Sequence, residues 1–443
     1  MRSQSEHCQN LLAGYTISMP KSRNIYLDYA ASVSPNPSSI HMEGVKAKTK
    51  LQNAHKEIAL ILKARPEEII FTSGGTESNN LAIQGVVSAW PGKKLPHIIT
   101  TNIEHPSVLE TFKMLQKKKL AEISIVPVEK NGIIDEKKIK KEIKGNTILV
   151  SVMYANNEIG TVQPIREIAK EIRHFKKQSG KLKGFFRSSD PRVPILARPF
   201  KNLSVFPLLH TDAVQAVNHL DLNVEKLGVD LLSLSGSKIE RAGRVGILYK
   251  KKSVPLAAIF GGGDQEMGFR PGTENLPEIL KFSKALNLVQ KNKEKESRRL
   301  TQLRNYFIIK LTSQKNNFFG PRVALIKSEG LNQTLKNYSS ASLIINGDLE
   351  NRLPNIINVT FPKIPSDLLV MELSANGIMT SSKSACKSSQ KGGSYVIKAI
   401  RPESDVEIGG LRFSLGRQTT KTDIDYTSKI LSKILLKLKK WYN

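Results

Sequence analysis

A lysine and an aspartate stand at the ends of two apolar runs in the middle of the chain. The run Leu231–Leu234 precedes a small, hydroxyl-rich turn, Ser235–Lys238, and the run Leu208–Leu209 leads to Asp212. An amine at the end of a buried strand loses hydration, which makes it a better nucleophile toward a carbonyl. A lysine for a Schiff base and an aspartate for a pyridinium nitrogen are the protein groups that pyridoxal phosphate requires. A solvated surface lysine is the commoner reading of the same pattern.

A second pattern is typical of a phosphate site. A predicted strand, Glu68–Phe71, runs into the glycine- and hydroxyl-rich stretch Thr72–Asn80, and a helix is predicted from near Leu81. Free N–H groups and the positive end of the helix dipole would face a phosphate at this turn. An ordinary capped turn between a strand and a helix is the alternative, about equally compatible with these residues alone.

Two polar residues follow other predicted strands. His105 comes shortly after the strand His97–Thr101, and Asn157 lies in the loop after the buried strand Thr147–Met153. Ligands in open α/β sheets bind at the carboxyl ends of the strands, which favours a role in binding for both residues. A capping histidine and an Asx-turn asparagine are the alternatives.

The C-terminal third holds a cysteine and an arginine in unusual surroundings. Cys386 lies in the small, polar stretch Met379–Ser389, unlike the apolar environment of a structural cysteine, which favours a reactive thiol. Arg412 falls inside the predicted strand Gly410–Ser414. A buried arginine needs an anionic partner, and a ligand carboxylate is one option.

Composition excludes several classes of protein. Hydrophobic residues make up 39% of the 443 residues, and no apolar run is long enough to span a bilayer. The N-terminal stretch lacks the apolar core of a secretory signal, so we expect a cytoplasmic protein without a membrane partner. The net charge of +29 comes mostly from dispersed lysines without a zinc-finger, RNP or basic-zipper pattern. We therefore expect solvated lysines and no direct binding of nucleic acid.

The order of predicted elements indicates the domain organisation. Strands alternate with helices from residue 68 to 238, which predicts a mostly parallel α/β sheet. We expect an N-terminal arm at 1–24, a large domain at 25–276 and a small domain at 277–443 that carries the cysteine loop. Loops inserted at about 179–206 and 321–342 would interrupt the two domains.

Taken together, these stretches resemble the conserved stretches of a known protein family. The matching pieces, in chain order, are Tyr26–Tyr29, Phe71–Asn80, Glu104–His105, Asn156–Gly160, His210–Gln215, Ser235–Lys238, Arg270–Thr273, Ser384–Cys386 and Arg412–Arg417. They resemble cysteine desulfurases of the NifS/IscS type, a branch of the class V aminotransferases with PLP fold type I. The resemblance implies a large, mostly parallel sheet domain with helices on both faces, and a smaller α+β domain.

The resemblance also implies a role for each site residue. Lys238 would form the Schiff base and carry the Cα proton, Asp212 would pair with the pyridine nitrogen, and His105 would stack on the ring and transfer protons. Asn157 would contact the cofactor and, with Arg412, the substrate carboxylate. The other expected cofactor ligands are Gln215 on the ring oxygen and, on the phosphate, Gly75, Thr76, Ser235 and Ser237. Thr273 of the partner subunit would also reach the phosphate.

The implied reaction takes sulfur from L-cysteine. Cys386, as a thiolate, would accept the sulfur as a persulfide and leave alanine, with no metal involved. A homodimer and a sulfur-acceptor protein, serving iron–sulfur clusters or tRNA thiolation, are the implied partners. Departures from the family pattern are Ser237 in the place of a histidine, Lys383 in the place of a glycine, and the stretch Ile239–Arg244.

Two other functions stay open on the sequence alone. One is a selenocysteine lyase or another class V enzyme such as an aminotransferase, although Cys386 argues against an aminotransferase, which needs no nucleophile. The other is a catalytically impaired scaffold with this fold, which Ser237 and the altered turn after Lys238 would permit.

Overall fold

A computed structural model describes residues 25–182, 206–313, 343–382, 393–402 and 409–440. The helices are α1 (Met42–Leu62), α2 (Gly75–Ser88), α3 (Pro106–Lys117), α4 (Glu136–Glu142), α5 (Ile165–Leu182), α6 (Val224–Leu227), α7 (Leu276–Ser313), α8 (Ser366–Ala375), α9 (Tyr395–Ile400) and α10 (Lys421–Lys439). The strands are β1 (Ile69–Thr72), β2 (His97–Thr101), β3 (Glu122–Val126), β4 (Thr147–Ser151), β5 (Leu208–Asp212), β6 (Leu231–Ser235), β7 (Gly246–Lys250), β8 (Ile344–Ile345), β9 (Ile356–Thr360) and β10 (Leu411–Ser414). The chain divides into two compact units, residues up to Thr49 and residues from Lys50 onward.

A seven-stranded sheet dominates the second unit. Its strand order is β1-β7-β6-β5-β4-β2-β3. The five strands from β6 to β3 pair in parallel, and β7 pairs antiparallel with both β6 and β1. This arrangement confirms the predicted large, mostly parallel sheet.

Both faces of this sheet are buried. Leu209 and Leu232 pack in one apolar core, whereas their neighbours Leu208 and Leu231 pack in another. Successive residues of a strand point to opposite faces, so these two cores lie on opposite sides of the sheet. Burial on both sides explains why the strands read as continuous apolar runs.

The C-terminal part forms a smaller layer of strands and helices. Strands β8, β9 and β10 make an antiparallel sheet in the order β10-β9-β8. Side chains of α7, α8 and α10 pack with this sheet in a third apolar core. The predicted combination of a large parallel sheet and a smaller α+β layer is therefore present, while the domain boundaries stay a prediction.

The predicted inserted loops fall mostly outside the described residues. The first was expected from about residue 179, whereas α5 extends to Leu182. Residues 183–205 and 314–342 are not described. No helix of the described part of the chain is both long and apolar enough to cross a membrane.

Candidate active site

One cavity of about 490 Å³ opens at the edge of the large sheet where the parallel strands end. Asp212 ends β5, Lys238 follows β6 by three residues, and His105 follows β2 by four. The carboxyl ends of parallel strands meet at one edge, so these separate parts of the sequence converge there. Ten predicted site residues line the cavity: Gly75, Thr76, His105, Asn157, Asp212, Gln215, Ser235, Ser237, Lys238 and Arg412.

Two predicted site residues are not in this group. Thr273 is exposed and is not among the cavity-lining residues of the described chain. Cys386 lies outside the described residues. Both assignments therefore stay predictions.

Lys238 ends a short 3-10 turn that begins directly after β6. The Ser235 hydroxyl accepts a hydrogen bond from the Ser237 amide and caps this turn. The Asn218 side-chain amide donates to the Lys238 carbonyl oxygen over 2.6 Å, which ties the lysine backbone to the segment after β5. These contacts hold the lysine backbone at the cavity wall.

Asp212 is buried and held by two donors. Its Oδ2 accepts a hydrogen bond from the Asn79 side-chain amide over 2.7 Å, and its Oδ1 accepts one from the Val214 amide over 3.0 Å. Each donor fixes one carboxylate oxygen, so the group cannot turn within the cavity wall. This arrangement suits a carboxylate that pairs with a cationic ring nitrogen.

His105 is the N-cap residue of α3. Its Nδ1 accepts a hydrogen bond from the Ser107 amide over 3.2 Å and lies 2.8 Å from the Ser107 hydroxyl. Burial lowers the pKa of His105, with Lys238 acting in the same direction and Asp212 opposing. A neutral ring at the cavity wall can stack on a flat ligand and transfer a proton.

Glu104, directly before His105, is a fully buried carboxyl group. Its Oε1 accepts a hydrogen bond from the Thr101 hydroxyl over 2.7 Å, and both oxygens accept from the Met153 amide. Burial raises the pKa of Glu104 to about 8, with the Asp212 charge adding to the rise and the two donors opposing it.

The amino end of α2 forms a cradle that only glycine fits. A Cβ at Gly75 would lie 2.8 Å from Val214 Cγ2 and 3.4 Å from Ser235 Cβ. The missing side chain leaves the first amides of α2 accessible beside the hydroxyls of Ser235 and Ser237, which lie 2.9 Å apart. Helix amides and hydroxyl donors around one point form an anion site.

Arg412 and Asn157 also line the cavity. The Arg412 Nη1 donates to the Asn157 carbonyl oxygen over 2.8 Å. Arg412 Nε and Asn157 Oδ1 are buried without a hydrogen-bond partner within the described chain. Burial lowers the pKa of Arg412, which the Glu158 carboxylate opposes. Buried polar atoms without partners in a cavity are suited to bind a polar ligand.

Several cavity residues were not predicted from the sequence. They are Asn79, Ser107, Met153, Ala155, Val214, Asn218, His219, Asn355, Ile356 and Ser414. Asn79 could have been found, because it lies one helical turn after Gly75 and so shares its helix face. The other side chains carry no comparable signal in the sequence.

Comparisons with known proteins agree with this geometry. The family model described as Aminotransferase class-V matches residues 19–178 and 200–343. Cysteine desulfurase IscS of Dictyoglomus turgidum is 36% identical, with 94% of this chain and 96% of the relative covered. The chain belongs to the class-V aminotransferase family. Cysteine desulfurase IscS of Methanosarcina thermophila is 37% identical, covering 93% of this chain and 88% of that relative.

Solved structures of class-V relatives have a similar fold. A NifS-like protein is 30% identical with a TM-score of 0.71, covering 90% of this chain and 91% of its own. A structure of SspA in complex with cysteine is 28% identical with a TM-score of 0.62, covering 86% and 90%. Both cover most of this chain, so the predicted PLP fold type I is confirmed.

The cofactor of class-V enzymes, pyridoxal phosphate, fits the residues of this cavity. The Gly75 cradle and its neighbouring hydroxyls suit the phosphate, and Asp212 suits the pyridine nitrogen. Lys238 offers the amine. No group of three or more His, Cys, Asp or Glu side chains that could bind a metal occurs within the described residues.

Proposed function

We propose that this chain is a pyridoxal-phosphate-dependent cysteine desulfurase that transfers the sulfur of L-cysteine to Cys386. The Cys386 thiolate attacks the substrate sulfur, an S–S bond forms, and the Cβ–S bond breaks with its electron pair left on carbon. Protonation of that carbon and release of the product give L-alanine and an enzyme persulfide. The convergence of Lys238, Asp212, His105, the Gly75 cradle and Arg412 on one cavity carries this proposal.

The protein groups divide the chemistry between them. Bound pyridoxal phosphate would supply an electron sink. Lys238 would hold the cofactor and move the Cα proton, while Asp212 would keep the pyridine nitrogen protonated. Arg412 and Asn157 orient the substrate carboxylate, for which Arg412 Nε is a free buried donor. Fixing the carboxylate and the nitrogen together aligns the bond that loses its proton.

Cys386 would carry the sulfur from the substrate to an acceptor protein. A cysteine thiolate is intrinsically a strong nucleophile and can hold sulfur as a persulfide. The persulfide then passes to an acceptor protein for iron–sulfur clusters or tRNA thiolation. Cell fractionation tests the cytoplasmic location that we expect.

We also propose a homodimer. In the unit that ends at Thr49, apolar side chains are strongly exposed, with Leu27 at 90% and Val33 at 87%. A row of exposed apolar side chains is typical of a surface that another protein covers. In a dimer, Thr273 of the partner subunit would complete the phosphate site.

The central experiment measures the products of L-cysteine. Purified protein with pyridoxal phosphate should release alanine and, with a reducing thiol, sulfide in equal amounts. Cys386→Ser should keep the cofactor and bind cysteine, yet release no sulfide, because its hydroxyl is a far weaker nucleophile. Sulfide release at the wild-type rate by Cys386→Ser contradicts the persulfide step. Parallel assays with L-selenocysteine identify a lyase if only that substrate reacts.

A second experiment tests the cofactor lysine. Borohydride should fix pyridoxal phosphate to the wild-type chain and not to Lys238→Ala. Lys226→Ala is the matched control, because Lys226 is an exposed lysine paired with Asp221 at 3.5 Å, outside the cavity. Fixation of the cofactor to Lys238→Ala at the wild-type level would overturn the assignment of Lys238.

A further inference from the structure

A continuous line of hydrogen bonds joins Asp212 to His105. The Asn79 side-chain amide donates to Asp212 Oδ2 over 2.7 Å and to the Ser107 hydroxyl over 2.9 Å. The Ser107 hydroxyl in turn lies 2.8 Å from His105 Nδ1. Asn79 and Ser107 are buried at the cavity wall. Neither residue is part of the predicted site.

The direction of each bond follows from the chemistry of its donors. The Ser107 backbone amide points at His105 Nδ1 and can only donate, so Nδ1 must carry a lone pair. In the neutral ring the proton is therefore on Nε2. Asn79 uses one amide proton for Asp212 and the other for Ser107, which leaves the Ser107 hydroxyl proton for Nδ1. The reverse orientation of Asn79 would set its carbonyl oxygen against the Asp212 carboxylate.

We propose that Ser107 and Asn79 are positioning residues that fix the Nε2-protonated form of His105 and hold it in one frame with Asp212. A single asparagine then positions both Asp212, which is expected to pair with the pyridine nitrogen, and His105, which is expected to stack on the ring. The Nε2–H of the neutral ring is then a hydrogen-bond donor, whereas the imidazolium loses its proton from Nδ1 when it returns to this form. This inference rests on the proposed function for its catalytic meaning, but its geometry does not depend on the substrate.

The charges around His105 act on its protonation as well. Asp212 favours the cation and Lys238 opposes it, whereas Glu104, directly before it in the chain, is uncharged below its pKa of about 8. Ser107 contributes differently, since its two donors to Nδ1 favour the neutral ring. Removal of the hydroxyl leaves one donor, so the pKa of His105 should rise by roughly 0.5 to 1 unit, the equivalent of one hydrogen bond.

The test uses nitrogen NMR of the holoenzyme, labelled with ¹⁵N at histidine and studied without substrate. His105→Gln identifies the His105 signals by their loss. Wild-type protein should have protonated Nε2 and bare Nδ1 in the neutral ring, and Ser107→Ala should shift the titration upward. Ser107→Thr restores the hydroxyl and should restore the wild-type titration, while Ser374→Ala is an exposed control without effect.

Asn79→Leu tests the link to Asp212 with a side chain of the same branching that has no donor. The affinity for pyridoxal phosphate should fall at least tenfold, about 1.4 kcal/mol, because Asp212 loses a donor. Combined with Ser107→Ala, its effect on the His105 titration should be non-additive. Protonated Nδ1 in the neutral wild-type ring, or strictly additive shifts, would overturn the proposal. A chain that fails to desulfurate cysteine leaves these NMR outcomes intact, so the two failures are distinguishable.

Discussion

At the residue scale, Arg412 places a partly buried guanidinium on strand β10 of the small sheet. Its Nη1 contacts only a backbone carbonyl, and its buried Nε has no partner in the described structure. Besides the nearby Glu158 carboxylate, this partly buried guanidinium has room for a second anion at its unpartnered Nε. The substrate carboxylate is the anion that the proposed reaction brings to this site.

Replacement of Arg412 should therefore weaken substrate binding more than cofactor binding. Arg412→Gln should raise the KM for L-cysteine at least tenfold, roughly the loss of one charge-assisted hydrogen bond, with the amount of bound cofactor unchanged. Steady-state kinetics and the cofactor absorbance measure the two effects. Arg417→Gln is the control, since Arg417 is half-exposed and pairs with Glu240 at 3.6 Å. Equal KM values for the two variants would contradict the substrate role of Arg412.

Reactive and charged side chains at strand ends could be predicted from the sequence. The residues that hydrogen-bond to them could not. Lys238 and Asp212 were accessible to prediction because each follows an apolar run that had to be a buried strand. Helical spacing places Asn79 on the same face as Gly75, but it does not reveal the hydrogen bonds of Asn79 to Asp212 and Ser107, which lie 133 and 28 residues away.

At the element scale, the start of α2 depends on close packing against the loop after β5. The Cβ of Gly75→Ala would overlap Val214 Cγ2, so either the helix end or the loop must move. We expect at least a tenfold loss of affinity for pyridoxal phosphate, since overpacking costs about 1–3 kcal/mol. Equilibrium dialysis of the cofactor measures the change.

Two further variants make this prediction specific. Gly145→Ala is the matched control, because a Cβ at Gly145 meets nothing within 4 Å. Adding Val214→Ala to Gly75→Ala removes the contacted methyl group and should recover much of the lost affinity. If the double variant binds no better than Gly75→Ala, then the Val214 contact is not the cause.

Strand β7 was predicted from its apolar pattern, but its direction in the sheet was not. The segment Val245–Tyr249 reads correctly as a strand, observed as Gly246–Lys250. Only ten residues separate β6 from β7, too few for a crossover helix as well as its connections. The short connection therefore makes β7 antiparallel, a consequence of connection length that the apolar pattern alone does not contain.

At the scale of the whole molecule, the exposed apolar residues near the N-terminus predict the assembly. Leu27→Asp combined with Val33→Asp should convert the proposed dimer to monomers, since both charges would be buried in the interface. Sedimentation velocity measures the mass. Leu120→Asp, at an apolar position that is 49% exposed elsewhere on the chain, should leave the dimer intact. A wild-type chain that sediments as a monomer rejects the dimer itself.

Glu104 links the folding of this chain to proton release. The folded chain retains a proton up to a pKa of about 8, whereas the unfolded chain loses it near 4.5. The stabilisation is complete in acid and is lost as pH rises, by at most about 1.4 kcal/mol per pH unit between these values. Unfolding at pH 7 therefore discharges a proton into the buffer. The calorimetric enthalpy should differ between Tris and phosphate by the buffers' heats of ionisation, and Glu104→Gln should reduce that difference while Glu110→Gln does not.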